Sequence, residues 1–296
     1  MANNFPLPER AILAAAGKGT RFMPWTKTIP KEMLPLGDRP VIDHVVESLL
    51  EVGNLAITIV TAVGKTAIAE YYAPAEDLEN HLKDKGKRSQ ASKVQQAATR
   101  PISIIYQQGR PPGNARPLLN ALDHRLIEES GPPFFYMYAD DYFEAEPSHA
   151  SQLLDAYLRT GKSVISLVEV DPSDADKYGM AAVSEKIAPD IYKVTDLLEK
   201  PGAARAPSKF AAVGGYLLTS EIIPLVKQLA PSPRGEIELP EAIGKLAACG
   251  GVVGRIINGK YRDAGTPASF AAALHAFMLN SKEFGAEYIK IINSDR

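Results

Sequence analysis

The chain has 296 residues, of which 45% are hydrophobic, and this is enough for one large domain with a substantial core. Its 33 basic and 35 acidic residues give a formal net charge of -2, which excludes the overall basic field that non-specific nucleic-acid binding requires. The single cysteine, Cys249, excludes an internal disulfide and a four-cysteine zinc site, and it is consistent with a reducing compartment.

No segment of the sequence has the pattern of a signal peptide or a membrane span. The first ten residues, MANNFPLPER, lack a basic stretch followed by an apolar one. No later segment has the roughly 18 consecutive apolar residues that a transmembrane helix requires. We therefore expect a cytoplasmic protein without a membrane or nucleic-acid partner.

The first 170 residues alternate between short apolar runs and longer amphipathic segments. The runs have the length of strands and most are apolar on both faces: AILAAA (11–16), LAITIVT (55–61), ISIIY (102–106), FFYMYA (134–139) and SVISLVEV (163–170). Segments with helical spacing of apolar residues lie between them: PVIDHVVESLLEVG, ARPLLNALDHRLIEES and SHASQLLDAYLRTG. This order predicts an α/β fold with right-handed crossovers and a mostly parallel sheet flanked by helices. The charged segment 76–98 is predicted to be an exposed helical insertion.

After residue 170 the pattern changes. The runs MAAVSE, IYKVTDLLEK and FAAVGGYLLT, separated by KYG and KPG turns, predict a small added antiparallel portion. Three helical segments follow: SEIIPLVKQLA, IELPEAIGKLAA and PASFAAALHAFMLNS. The last of these is strongly apolar, and we expect it to belong to the core rather than to an interface. Because no linker rich in proline or serine interrupts the chain, we expect residues 1–296 to form a single domain.

A glycine-rich turn follows the first predicted strand, in the segment AAGKGTRFMPWTKTIPKEMLP (15–35). A Walker-type phosphate loop is excluded because Ile12 occupies the first glycine position and Gly19 follows Lys18. A dinucleotide fingerprint is excluded because Phe22 stands where its third glycine belongs. The segment therefore contains a phosphate loop of another kind, or an ordinary strand-to-helix turn.

The cations that follow the turn favour a phosphate site. Amides of residues 17–20 can donate to phosphate oxygens, and Arg21 and Lys31 can compensate the charge of a triphosphate. Three prolines stiffen the intervening loop, which can bring these charges together: Pro24, Pro30 and Pro35.

The stretch AAAGKGTRFMPWTKTIPKEMLPLGDRPVIDHVV resembles the signature G-x-G-T-R-x-x-P-x-T-x-x-x-P-K-x-[ML]-[LV]-P of the sugar-1-phosphate nucleotidyltransferases. Its second half is most similar to the bacterial UTP–glucose-1-phosphate uridylyltransferases within that family. The resemblance implies a Rossmann-like fold and a magnesium-dependent transfer from UTP to glucose 1-phosphate. It also implies catalytic roles for Arg21 and Lys31, and nucleotide contacts from Ala15, Ala16, Gly17, Gly19 and Thr20.

Later segments extend the resemblance over nearly the whole chain. YQQGRPPGNARPLLNA resembles the base-binding segment, which implies contacts to the base from Gln108 and Gly113. KYGMAAV, DLLEKPGAA and FAAVGGYLLTSEI resemble sugar-binding segments, which implies sugar contacts from Gly179, Glu199 and Gly214 and a catalytic Lys200 at the sugar phosphate. RGEIELPEAI is similar to a segment that we interpret as architectural.

Two aspartates match the magnesium ligands of the family. Asp140 follows a predicted strand in YADDYF, and Asp263 lies in YRDAGTPASF. Either could instead be a turn residue or cap a helix, while Asp141 falls where relatives have Asn or Val and is given no role.

Three functions remain open at this point. The KTIPKEMLP segment favours UTP and glucose 1-phosphate, whereas the DAGT and PPGNA segments lean toward thymidylyl- or guanylyltransferases acting on another sugar 1-phosphate. The third possible function is that of a non-catalytic homologue that binds a nucleotide sugar. The chain argues against it because it retains all the charged residues expected of the enzyme: Arg21, Lys31, Asp140, Lys200 and Asp263. Members of the family are usually dimers or tetramers, so a homodimer or homotetramer is expected.

Overall fold

The chain is described by a computed structural model that covers residues 5–294. Its helices are α1 Val41–Leu50, α2 Thr66–Tyr72, α3 Glu76–Asp84, α4 Arg88–Ala98, α5 Arg116–Asp123, α6 His149–Thr160, α7 Ile222–Lys227, α8 Leu239–Ala248, α9 Pro267–Asn280 and α10 Gly285–Ser294. Its strands are β1 Arg10–Ala15, β2 Pro35–Leu36, β3 Arg39–Pro40, β4 Ala56–Thr61, β5 Ile102–Tyr106, β6 Phe134–Tyr138, β7 Asp141–Glu144, β8 Ser163–Glu169, β9 Gly179–Ala188, β10 Ile191–Glu199, β11 Phe210–Leu218, β12 Val252–Ile256 and β13 Lys260–Asp263.

One nine-stranded sheet organises the molecule, in the order β5-β4-β1-β6-β11-β8-β12-β10-β9. The strands β5, β4, β1 and β6 are parallel neighbours, and β8 is parallel to β12. In contrast, β11 is antiparallel to β6 and β8, and β10 is antiparallel to β12 and β9. The prediction of an α/β fold is confirmed, and the sheet is mixed because the antiparallel strands belong to the same sheet as the parallel ones.

The core has two layers, one on each face of this sheet. Alternate strand residues point to opposite faces, so Leu13 and Ile12 of β1 belong to different apolar clusters. Helices α1 and α6 cover the first face, with Val46 and Leu153 fully buried. Helices α5, α7 and α8 cover the second face. Both faces of the strands are therefore buried away from solvent, which explains their nearly continuous apolar sequences.

Helix α9 differs from the expectation of a core element. Its Phe270, Leu274 and Phe277 are only partly buried against a small satellite cluster around Leu36. In this helix Ala273 is buried, while Leu279 is 37% exposed. The expectation was wrong for most of its apolar residues because α9 packs beside the short strands β2 and β13 and not on the large sheet.

Two helices, α3 and α4, occupy the charged segment 76–98. Lys93 of α4 donates to Asp38 at 2.7 Å and to Glu283 at 2.8 Å, so ion pairs join this segment to the rest of the molecule. No helix within residues 5–294 has the length and apolar character needed to cross a bilayer.

Candidate functional site

The carboxyl ends of four parallel strands lie side by side at one edge of the sheet. In register, Ala15 at the end of β1 is paired with Thr61 at the end of β4, which is paired with Tyr106 of β5. The glycine-rich turn follows β1, Gln108 follows β5, and Asp140 follows β6. Ligand sites of open parallel sheets lie beyond such ends, so this edge is the candidate site.

The glycine-rich turn has a conformation that needs its second glycine. Gly19 adopts a left-handed φ of +60°, and a Cβ there would lie 3.0 Å from Cγ2 of Thr26. Its carbonyl accepts hydrogen bonds from the Thr26 hydroxyl at 2.7 Å and from the Phe22 amide at 2.9 Å. Phe22 packs edge-on against Phe270, and Arg21 beside it remains exposed. Local packing therefore presents Arg21 at the surface of the site.

The proline-rich loop returns Lys31 to the glycine-rich turn. The Lys31 ammonium forms an ion pair with Asp140, and the two side chains are 15% and 16% exposed. A Cβ on Gly17 would lie 3.5 Å from Cε of Lys31, which is ordinary van der Waals contact. Burial acts to lower the pKa of Lys31, but the Asp140 and Glu32 carboxylates outweigh it and raise this pKa above its usual value. Lys31 is therefore held as a cation.

Asp263 and Arg21 lie at the same site. In the β7–β13 pair Asp263 is opposite Asp141, the residue that follows Asp140. Asp263 accepts a hydrogen bond from the Gly265 amide at 2.7 Å. A Cβ on Gly265 would lie 3.4 Å from both terminal nitrogens of Arg21, so the guanidinium lies beside this turn. The structure thus brings together residues from both ends of the chain.

The two aspartates suit a magnesium site that is completed by water and substrate, and they do not form a metal site made of protein ligands alone. Across residues 5–294 no group of three or more His, Cys, Asp and Glu side chains is arranged to hold a metal ion. Magnesium commonly binds one or two carboxylates and completes its octahedron with water and substrate phosphates, so Asp140 and Asp263 fit this ion. Neither caps a helix, since Thr266 is the N-cap of α9 and β7 follows Asp140.

Asp141 is a structural link that sequence reasoning missed. Its carboxylate accepts hydrogen bonds from the Gly214 amide at 2.9 Å and from the Tyr261 hydroxyl at 2.8 Å. Burial, reinforced by the neighbouring Asp140, raises the pKa of Asp141 to about 7. Asp141 therefore joins β7 to β11 and β13. The doubled aspartate after a strand was the signal that could have indicated this role.

Gly214 is held tightly against the core. Its φ is +77°, and a Cβ there would lie 2.5 Å from Cε2 of Phe143 and 2.8 Å from Cε1 of His149. Two residues earlier, Ala212 is paired with Gly179 of β9. The two glycines predicted to contact sugar are thus linked through β11, and both are in buried positions.

Glu199 lies at the centre of the predicted sugar-binding group. It is paired with Gly179 in the β9–β10 ladder, and a Cβ added to Gly179 would lie 3.4 Å from Oε2 of Glu199. Lys200 has an unusual φ of +47°, and its ammonium is 3.6 Å from Oε1 of Glu199. Arg234 lies 3.4 Å from the same oxygen, a contact missed because its segment was interpreted as architectural. Burial raises the pKa of Glu199, and the two cations oppose this shift.

The predicted base-binding residues form a third group. The Asn120 side-chain amide exchanges two hydrogen bonds of 3.1 Å with the backbone of Gln108, whose side chain lies in an exposed position. Gly113 has a φ of +140°, and a Cβ there would clash with the Ile237 backbone. Gln107 donates to the Thr61 carbonyl at 2.7 Å, which joins this group to the strand ends beside Ala15.

The structure thus arranges all the predicted residues in three linked groups along this edge. The first contains the turn residues Ala15, Ala16, Gly17, Gly19 and Thr20 with Arg21, Lys31, Asp140 and Asp263. The second contains Gly179, Glu199, Lys200 and Gly214, and the third contains Gln108 and Gly113. A cavity of about 680 Å³ lies elsewhere, between α4 and the α9–α10 turn, and its lining includes none of these residues.

Two curated proteins and one solved structure with extensive similarity to this chain are named for the same reaction or its nucleotide. UTP–glucose-1-phosphate uridylyltransferase YngB of Bacillus subtilis is 34% identical over 257 residues, which is 87% of this chain and 85% of that protein. UTP–glucose-1-phosphate uridylyltransferase 2 of Staphylococcus saprophyticus is also 34% identical, over 96% of both chains. The UTP-bound UGPase structure from Acinetobacter baumannii superposes with a TM-score of 0.85 at 27% identity, covering 97% of this chain and 99% of that one.

The family comparison covers most of the chain. Residues 10–279 match the nucleotidyl transferase family, a range that includes the glycine-rich turn, both aspartates and the sugar-binding group. The family suggested by the signature of the glycine-rich turn is therefore confirmed. The chain belongs to the nucleotidyl transferase family.

Proposed function

We propose that this protein transfers a uridylyl group from UTP to glucose 1-phosphate, giving UDP-glucose and pyrophosphate. The proposal rests on one observation: four charged side chains lie close together at one edge of the sheet, namely Lys31, Asp140, Arg21 and Asp263. The names of the curated relatives support the choice of UTP and glucose 1-phosphate.

The proposed reaction needs no nucleophile from the protein. A phosphate oxygen of the sugar 1-phosphate attacks the α-phosphorus of UTP, a new P–O bond forms, and the bond to the bridging oxygen of pyrophosphate breaks. The attacking phosphate is already an anion at neutral pH. The barrier is the approach of two anions and the charge of the transition state, so positioning and electrostatics supply the catalysis.

The charged residues of the site match these demands. Amides of residues 17–20 and Arg21 would hold the triphosphate and the leaving pyrophosphate, Lys31 would contact the α-phosphate region, and Lys200 the attacking phosphate. Asp140 and Asp263 would hold Mg²⁺, which when bound stabilises negative charge on phosphoryl oxygens.

The remaining predicted residues would select the substrates. Gln108 and Gly113 would contact the base, and Gly179, Glu199 and Gly214 would contact the sugar. The carboxylate of Glu199 can accept hydrogen bonds from sugar hydroxyls, and its side chain is 15% exposed, which leaves it accessible to a ligand.

A pyrophosphate-release assay tests the activity directly. We expect release with UTP and glucose 1-phosphate in the presence of Mg²⁺, and its loss when the metal is removed with EDTA and not restored. Four nucleoside triphosphates and a panel of sugar 1-phosphates should be compared. Preference for dTTP or GTP would favour the other transferases of the family, and no release with any pair would favour a binding protein without catalysis.

We also propose that the protein is a cytoplasmic homo-oligomer. Apolar side chains exposed on α9 and α10 support self-association, since Leu279 is 37%, Ile289 42% and Ile291 51% exposed. Light scattering coupled to gel filtration should give a dimer or tetramer mass, and a monomer mass at micromolar concentration would contradict this part of the proposal.

A further inference from the structure

Lys65 lies outside the predicted site residues, yet its ammonium contacts two parts of the site. It follows β4, and its Nζ donates to the carbonyls of Ala15 at 3.2 Å and Gly17 at 2.6 Å. It also donates to Oε2 of Glu32 at 3.2 Å. An ammonium has three N–H donors, so one side chain can satisfy all three contacts at once. Lys65 therefore connects the glycine-rich turn to the loop that carries Lys31.

The contact to Glu32 compensates a deeply buried charge. Glu32 is 1% exposed, and burial raises its pKa while Lys65 and Lys31 oppose the shift. A buried carboxylate without a cation is costly, so Lys65 favours the conformation in which Glu32 points inward. Glu32 lies in the same 3-10 turn as Lys31, residues Lys31–Met33. Anchoring Glu32 therefore also anchors Lys31.

The contacts to the turn orient its amides. A trans peptide is planar and its C=O and N–H bonds point in opposite directions. Because the carbonyls of Ala15 and Gly17 point to Lys65, the amides of Ala16 and Lys18 point away from it. Amides presented in this way can donate to phosphate oxygens.

We propose that Lys65 is a positioning residue that holds the glycine-rich turn and the Lys31 loop in the arrangement that binds the triphosphate. Its expected effect on turnover rests on the proposed nucleotidyl transfer, whereas its effect on the ligand-free protein does not. The two effects can therefore be measured separately.

Hydrogen exchange of the ligand-free protein tests the structural part. In Lys65→Met we expect faster exchange in residues 15–34 than in the unmodified protein. Lys93→Met is the matched control, because Lys93 also links two segments, through Asp38 and Glu283, at a distance from the site. The control should leave exchange of residues 15–34 unchanged. Unchanged exchange in Lys65→Met would overturn the proposal and point to a direct ligand contact.

Steady-state kinetics test the functional part. We expect kcat/KM for UTP to fall by about 10- to 100-fold in Lys65→Met, since small displacements of binding groups have effects of this size. The KM for glucose 1-phosphate should change much less, and Lys93→Met should retain full activity. If the protein prefers another nucleoside triphosphate, the kinetic assay should use that nucleotide in place of UTP. Unchanged turnover in Lys65→Met would overturn the proposal.

A double variant separates positioning from simple charge compensation. Lys65→Met combined with Glu32→Gln removes the unpaired buried charge, so we expect the melting temperature to recover in part relative to Lys65→Met. Turnover should stay low, because the carbonyls of Ala15 and Gly17 still lack their donor. Recovery of turnover together with stability would overturn the positioning role.

Discussion

Lys31 and Asp140 are 109 residues apart in the chain, yet their side chains form an ion pair at the site. A metal ion held by Asp140 would compete with the Lys31 ammonium for the carboxylate oxygens. Such an ion would leave the Lys31 ammonium available to a phosphate, because each partner of the pair would then have another counter-ion.

We expect Lys31→Met to fold normally and to lose about 100- to 1,000-fold in kcat, which is the usual cost of removing a charged contact to a transition state. Lys27→Met is the control, since Lys27 is exposed on the same loop. Turnover should be measured by pyrophosphate release at saturating substrates. A Lys31→Met enzyme within a few-fold of the unmodified one would remove Lys31 from the mechanism.

A second prediction concerns Asp141. In Asp141→Ala the Gly214 amide and the Tyr261 hydroxyl both lose their acceptor, so we expect a higher KM for the sugar 1-phosphate and little change in the KM for UTP. Asp141→Asn keeps one acceptor oxygen and should retain most of the affinity. Equal effects on both KM values would show that Asp141 supports the fold generally and not the sugar-binding strand.

The buried histidine His149 predicts a pH dependence of stability. It is 4% exposed, its Nε2 has no hydrogen-bond partner among the described residues, and its ring lies 4.3 Å from that of Phe143. Burial lowers the pKa of His149 to about 3, from an ordinary value of 6.5. The unfolded chain therefore binds a proton more readily between these values, and stability is lost as the pH falls below 6.5.

The size of this effect can be measured by urea unfolding. Between pH 7 and pH 5 we expect His149 to remove about 2 kcal/mol of stability, at about 1.4 kcal/mol per pH unit below the unfolded pKa. His149→Gln should show a correspondingly smaller decrease. His81→Gln, at an exposed position of α3, should behave like the unmodified protein. An identical decrease in all three proteins would contradict the assignment.

At the scale of elements, the turn before α5 depends on its docking to residue 237. The Pro112 carbonyl accepts from the Ile237 amide at 2.8 Å, and the Ala115 amide donates to the Ile237 carbonyl at 3.2 Å. This close approach leaves no space for a side chain at Gly113. The predicted base-binding segment is therefore shaped by a distant part of the chain.

Comparing two glycines isolates the contribution of that close approach. Gly113 and Gly53 have similar φ values of +140° and +132°, but a Cβ on Gly53 would meet nothing within 4 Å. Gly53→Ala should lose about 1–3 kcal/mol through backbone strain alone. We expect Gly113→Ala to lower the free energy of unfolding, measured by chemical denaturation, by clearly more than Gly53→Ala does. Equal losses would show that the turn can move away from Ile237.

Element boundaries were predicted well where the hydrophobic pattern changes sharply. The strand predicted at 11–16 is observed as Arg10–Ala15, and the one at 102–106 has the same bounds. The helix predicted over 115–130 ends at Asp123, and Arg125 has a left-handed φ of +56°. No glycine or proline marks that end, so the pattern could not indicate it.

At the scale of the whole molecule, the sheet explains why separate motifs form one site. The segments after β1, β5 and β6 lie at one edge because those strands are parallel members of the same sheet. The edge is extended by β11, which runs antiparallel and brings Gly214 next to Asp141. The predicted roles of the site residues stay predictions until the variants described above are measured.

The sequence by itself determined the fold class and the family, because apolar periodicity and a long signature depend on residues close together in the chain. It also contained the charged residues that a triphosphate and a metal require. Only the tertiary structure decided which of them pair. The Lys31–Asp140 ion pair, the Asp141 link to Gly214 and the three contacts of Lys65 join residues separated by 33 to 109 positions. Such contacts depend on strand order and on burial, which local sequence does not encode.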